Sequence, residues 1–168
     1  MKFCVFLITL AVLISSGLAN EVKERPKKPL EELLPHVQPI EDIAIRLGNG
    51  PVKVHIFVDP FCPRSRDFIT FISSSSKMLA RYSYYFHLYR LQRFKSQNLI
   101  HAIYNSESPR VTMLDIMVRD KKFDEPIEPS AKTIENIDRV AAAAKKIDVY
   151  KRPYMIMVKH KKPKKSRG

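Results

Sequence analysis

The residues able to do chemistry gather around one cysteine. Cys62 sits in Val58-Asp59-Pro60-Phe61-Cys62-Pro63-Arg64-Ser65-Arg66-Asp67-Phe68, where a β-branched run gives way to a helical pattern. A helix N-terminus offers unpaired N–H groups and the positive end of the helix dipole, so it favours an anion. A thiolate is such an anion, and the thiolate is the nucleophilic form of cysteine. Pro63 suits the first helical turn, because the N–H it lacks would have no partner there. Arg64 and Arg66 add positive charge in the same direction. These features predict a partly accessible, nucleophilic Cys62. Ser65 is placed either to hydrogen-bond the thiolate or to act as an ordinary helix-start serine.

The other cysteine, Cys4, belongs to a different kind of segment. Residues 1–19 have Lys2 as a positive start, an apolar run from Phe3 to Ile14, and the small residues Gly17 and Ala19 before Asn20. This is the layout of a secretory signal peptide, too short in its apolar run to span a bilayer. The expectation is an exported, periplasmic protein, or a secreted or lumenal one in another kind of host. Its removal takes away Cys4 and leaves Cys62 alone. In an oxidising compartment structural cysteines come in pairs, so a single one suggests an intermolecular partner or a reactive thiol.

The elements that must position Cys62 follow from periodicity. Residues 20–48 read as an extended leader carrying Pro26, Pro29, Pro35 and Pro39, with a short helical pattern from Pro39 to Leu47. Gly48-Asn49-Gly50-Pro51 is a turn, Val52–Val58 a buried strand, and Tyr82–Leu88 a second strand with alternating apolar residues. The helix after Cys62 closes at Ser73–Ser76. Gln97–Tyr104 and the segment from Ser108-Pro109 are helical, and Lys121–Pro129 is a loop. Ser130–Lys146 is an amphipathic helix, with Ile134, Ile137, Val140, Ala141 and Ala144 predicted to face inward. Tyr154–Val158 is a third strand. This alternation argues for an α/β domain, with room for a right-handed crossover between parallel strands.

The segment Ile56-Phe57-Val58-Asp59-Pro60-Phe61-Cys62-Pro63, with Phe68, resembles the thioredoxin-fold catalytic domain of the bacterial DsbC/DsbG disulfide isomerases, DsbG more than DsbC. A second patch, Ile147–Met157 with Arg152-Pro153 inside it, adds to the likeness by its spacing. The resemblance covers about residues 50–158. It implies a thioredoxin-like domain over residues 49–158, with a helical insertion over about 95–147. It also implies that Pro153 has a cis peptide bond, faces Cys62 and helps present backbone to a bound peptide. Cys62, Ser65 and Pro153 are then the catalytic candidates. Pro63, Arg64 and Arg152 are the substrate-binding candidates.

The departures from that family are chemical. The family motif is Cys-x-x-Cys, but Cys62-Pro63-Arg64-Ser65 has serine at the resolving position. Arg152 stands where the family usually has a small residue. An N-terminal dimerisation domain is not expected in the short stretch before the first strand, and the final strand and helix of the fold are not evident after Val158. A dithiol resolves its own mixed disulfide with its second thiol; with Ser65 this cannot happen within the chain. Three activities remain: isomerisation, exchange with a small thiol such as glutathione, and attack on a sulfenic acid. The expected partners are protein thiols or disulfides and a separate resolving redox protein. The alternative is a redox-inactive thioredoxin-fold binding or scaffold module of the cell envelope.

Charge and composition narrow the rest. The chain has 168 residues and a formal net charge of +13, which excludes a large multidomain enzyme. Lys159, Lys161, Lys162, Lys164, Lys165 and Arg167 form a basic tail at 159–168, suited to an anionic surface or to solvation. Nucleic acid fits poorly with export. His36, His55, His87, His101 and His160 lack metal-ligand spacing, although His55 and His87 fall on strands that could bring them together. No metal and no cofactor is expected. Four glycines leave no phosphate-binding loop.

Overall fold

The β-branched run Val52–Val58 (β2) is the middle of a mixed sheet in the computed structural model, which describes residues 28–123 and 126–158. The predicted signal peptide and basic tail lie outside the described residues. Strand β3 (Tyr82–Leu88) runs parallel to β2 on one side, and β4 (Tyr154–Val158) antiparallel on the other. A three-residue strand, β1 (Ile45–Leu47), pairs antiparallel with β3, giving the order β1-β3-β2-β4. Helices α2 (Pro63–Ser73) and α3 (Ser76–Arg81) carry the chain from β2 to β3. Helices α4 (Gln97–Asn105), α5 (Pro109–Met117) and α6 (Ala131–Ile147) carry it from β3 to β4, and α1 (Leu30–Val37) precedes the sheet.

Alternation along β2 divides the core in two. Val54, Ile56 and Val58 pack with Ile69 and Ile72 of α2, Ile103 of α4, and Met113 and Ile116 of α5. Phe57, on the opposite face, packs with Leu33 and Val37 of α1, Val140, Ala144 and Ile147 of α6, and Ile156 of β4. The turn before β2 depends on glycine: Gly48 has φ +80°, and a Cβ there would strike the Tyr82 carbonyl. Asp148 ends α6 in a left-handed conformation, with the Val149 N–H reaching the Ala144 carbonyl at 2.9 Å.

Three local expectations are corrected. The leader read as extended contains α1, because Leu33 and Val37 are buried and offset the backbone bond that Pro35 cannot make. The helical pattern over Pro39–Leu47 gives way to a one-turn 3-10 helix at Gln38–Ile40 and then to β1. Ile40 and Leu47 are both buried, so the apolar spacing was real, but three strand residues alternate too briefly to show a period of two. Ile134 is 49 % exposed, since the buried stripe of α6 runs instead through Thr133, Asn136, Val140, Ala143, Ala144 and Ile147. Strand β4 is an edge strand among the described residues. Its Met155 and Met157, opposite Ile56 and Val54, are exposed at that open edge.

Candidate functional site

Asp59 organises the end of β2. It is fully buried, and its carboxylate accepts three bonds: Phe61 N–H at 2.8 Å, Leu91 N–H at 2.5 Å and Ser96 O–H at 3.0 Å. One side chain therefore ties the Cys62 turn to the loop that follows β3. The Asp59 carbonyl accepts the Cys62 N–H at 3.0 Å, which sets the turn into α2. Cys62 is the N-cap of that helix with extended backbone, and Pro63 follows in its first turn. The Cys62 carbonyl accepts the first helical N–H groups, from Ser65 at 3.0 Å and Arg66 at 3.1 Å.

The second patch comes back to this turn. The Arg152–Pro153 peptide bond is cis, and the Cys62 Sγ lies 3.9 Å from the Arg152 carbonyl oxygen. The Arg152 side chain is 6 % exposed and turns inward. Its guanidinium stacks 4.2 Å above the Tyr89 ring and donates to the carbonyls of Tyr89, Val149 and Lys151 at 3.2, 3.2 and 2.9 Å. Burial pushes its pKa down to about 10, while Tyr89, Asp59 and Cys62 oppose that shift.

Cys62, Pro63, Arg64 and Arg152 line one groove of about 1280 Å³, and Pro153 adjoins it through the cis bond. The expected partial accessibility of Cys62 is not found. The residue is 3 % exposed and forms the groove's floor. Ser65 is fully buried beside it, and its Oγ accepts the Asp59 N–H at 3.4 Å, so it braces the turn. Arg66 points away: it bonds the Pro60 carbonyl at 3.3 Å and pairs with Asp120 at 2.6 Å. Of the two nearby arginines, only Arg64 lines the groove. On the opposite wall, Tyr89 falls among the aromatic residues read as core and groove wall, but Arg90 to Phe94 were not read from the sequence as part of the site. An acid directly after a buried strand was the available signal, since a buried carboxylate demands donors.

A second polar cluster lies on the other face of the sheet. His55 Nδ1 and His87 Nε2 are 3.2 Å apart with stacked rings, and both residues are fully buried. His55 Nε2 is 3.4 Å from Glu41, which in turn pairs with Lys53 at 2.8 Å. Burial pushes the pKa of His55 down to about 4 and that of His87 down to about 3, the latter helped by His55.

The chain has a thioredoxin-like fold: a four-stranded mixed sheet with helices on both faces and a cysteine capping the helix after the central strand. It is similar to the catalytic domain of Proteus mirabilis ScsC, with a TM-score of 0.63 and 11% identity over 77% of this chain and 86% of that one. It is also similar to the thiol-disulfide exchange protein alpha-DsbA2 from Wolbachia pipientis, with a TM-score of 0.59 and 11% identity over 77% and 84%. A periplasmic thioredoxin-like protein from Salmonella enterica serovar Typhimurium aligns with a TM-score of 0.50 and 10% identity over 80% and 86%. No family model and no curated protein matches the sequence. Among the described residues, no helix is long and apolar enough to cross a membrane.

Proposed function

We propose that this is an exported thioredoxin-like protein in which Cys62 alone carries out thiol–disulfide exchange, as an isomerase or in handling sulfenic acids and mixed disulfides. The observation that supports it most is the placement of Cys62: it caps α2 at the floor of a groove, 3.9 Å from the carbonyl before a cis proline, with no second thiol beside it among the described residues. A thiolate here attacks one sulfur of a substrate disulfide, and a mixed disulfide forms. Another substrate thiolate then displaces Cys62, which leaves as it arrived. Ser65 braces the turn, and Pro153 with the Arg152 carbonyl presents backbone to the substrate. Export rests on the N-terminal layout and on the periplasmic description of one structural neighbour. Kinship with the DsbC/DsbG type rests on the Ile56–Pro63 segment.

The test is recovery of native pairing in a scrambled multi-disulfide protein with no added redox couple. The expected result is recovery that is abolished in Cys62→Ser, with mixed disulfides trapped on the wild type alone. Equal recovery by both forms refutes exchange at Cys62. The 3 % exposure of Cys62 favours a second reading, a redox-inactive binding module. Absence of both recovery and trapped adducts would support it.

A further inference from the structure

The groove over Cys62 has a charge that the exchange chemistry does not itself require. Arg64, Arg90, Arg93, Lys151 and Arg152 line it, and among the described residues no Asp or Glu does. The chain carries 30 basic and 17 acidic residues, so a stretch of wall this long would ordinarily include an acid or two. The carboxylate of Asp59, at the base, is already committed to the Phe61, Leu91 and Ser96 donors. Arginine outnumbers lysine in the wall, and a guanidinium fork matches a carboxylate with two parallel bonds. Aromatic rings sit beside the cations: Arg93 lies 4.9 Å from the Phe94 ring centroid, and Arg152 4.2 Å from that of Tyr89. Such rings pack the aliphatic parts of a peptide while the cations take its acids.

We infer that this groove selects cysteine-bearing peptide segments flanked by aspartate and glutamate, an inference that rests on the exchange chemistry proposed above. A peptide suits the groove better than a small anionic thiol for two reasons. Its volume of about 1280 Å³ exceeds the ~300–1,000 Å³ of small-molecule pockets. Its available cations also come from separate segments, at 64 and at 90 and 93, so more than one carboxylate can engage at once, while Arg152, buried and committed to three carbonyls, adds charge at the base. The covalent step is balanced. The Cys62 thiolate attacks one sulfur of the peptide's disulfide, a Cys62–sulfur bond forms, and the S–S bond breaks. The departing sulfur keeps the electron pair and takes a proton from water. A second thiolate of the substrate later reverses the step, so no outside oxidant or reductant enters.

The test uses mixed disulfides of one cysteine peptide with thionitrobenzoate, made with Glu, Gln or Lys flanks, and follows release of the coloured thiol by the purified protein. The Glu version should react at least about tenfold faster than the Lys version at low ionic strength, as charge steering allows. Added salt should close the gap, and the Arg90→Gln/Arg93→Gln double variant should narrow it. One rate for all three versions leaves exchange standing and overturns the acidic preference, as does a faster Lys version. Oxidised glutathione reacting as fast as the Glu peptide overturns the peptide assignment. A second arm measures binding of fluorescent serine-substituted peptides to Cys62→Ser by anisotropy. If no version releases thiol but the Glu peptide binds most tightly, exchange is wrong and the acidic preference holds. Equal binding of all three overturns the preference.

Discussion

Acidification should weaken this fold through the buried His55–His87 pair. The proton between Nδ1 of His55 and Nε2 of His87 can sit on either ring. The Glu41 carboxylate, 3.4 Å from His55 Nε2, favours a proton on that nitrogen. His55 Nδ1 then accepts from His87 Nε2–H, and His87 Nδ1 is left buried without a partner. The facing charges are Glu41, which favours a charged His55, and Lys53, which opposes it; burial outweighs both. The sign follows from the direction of the shifts. The folded pKa values, about 4 and about 3, lie below the ordinary histidine value of ~6.5. The unfolded chain therefore takes up protons first, and stability is full above ~6.5 and falls as pH drops towards the folded values. At pH 5 the difference is about 1.5 units per ring, or ~2 kcal/mol each and ~4 kcal/mol for the pair. That is a large share of a typical ~5–15 kcal/mol. Urea unfolding of wild type, His87→Phe and His87→Asn at pH 7 and 5 reads this directly. Each variant pays a pH-independent cost for the lost bond, so the comparison is between losses. Wild type should lose ~4 kcal/mol and each variant about half of that. An equal loss in wild type and variants would refute the assignment.

Two further outcomes follow from the site. Asp59→Ala should cost ~3 kcal/mol or more, since one buried and two part-buried donors lose their acceptor, and should speed amide exchange at Leu91. A loss under ~1 kcal/mol in urea unfolding would contradict the clamp. Arg152→Met should slow release of a Cys62 mixed disulfide more than its formation, as resolved by stopped-flow measurement of the two steps, and equal slowing would contradict a charge role.

Much of the frame was legible because its signals are local. Strands β2, β3 and β4 have the bounds that β-branched and alternating residues indicate, and Cys62 followed by Pro63 marks the start of α2. The serine run closes α2 as its composition indicates, but Ser75 also caps α3, a six-residue helix not read from the sequence, by accepting the Met78 N–H at 3.3 Å. What escaped was set by tertiary contact. Helix α1 survives Pro35 through burial of Leu33 and Val37, and β1 owes its existence to its pairing with β3. The wall from Arg90 to Phe94 has no periodicity of its own, and the Asp59 bonds to Leu91 and Ser96 reach it across 32 and 37 residues. Cys62 looked accessible because the sequence could not show that the Arg152 carbonyl would lie against its sulfur.

Arg152 bears on the difficulty a single thiol creates. A dithiol frees itself, whereas a lone cysteine must be displaced by its partner's thiol, so its worth as a leaving group governs turnover. The Arg152 guanidinium is buried, and its satisfied bonds go to carbonyls and an aromatic face, which are polar but uncharged. Among the described residues it has no carboxylate within ion-pairing distance. Its positive charge is therefore offset only at longer range, by the Asp59 carboxylate, in a largely buried site where charge acts more strongly than in water. In a mixed disulfide the sulfur of Cys62 is neutral and Arg152 gains nothing from it. As the bond breaks, negative charge develops on that sulfur, and in the proposed exchange the attraction between Cys62 and the Arg152 cation acts on it at that moment. In the proposed exchange, Arg152 thus favours the departure of Cys62, the step that the serine at position 65 leaves to another molecule.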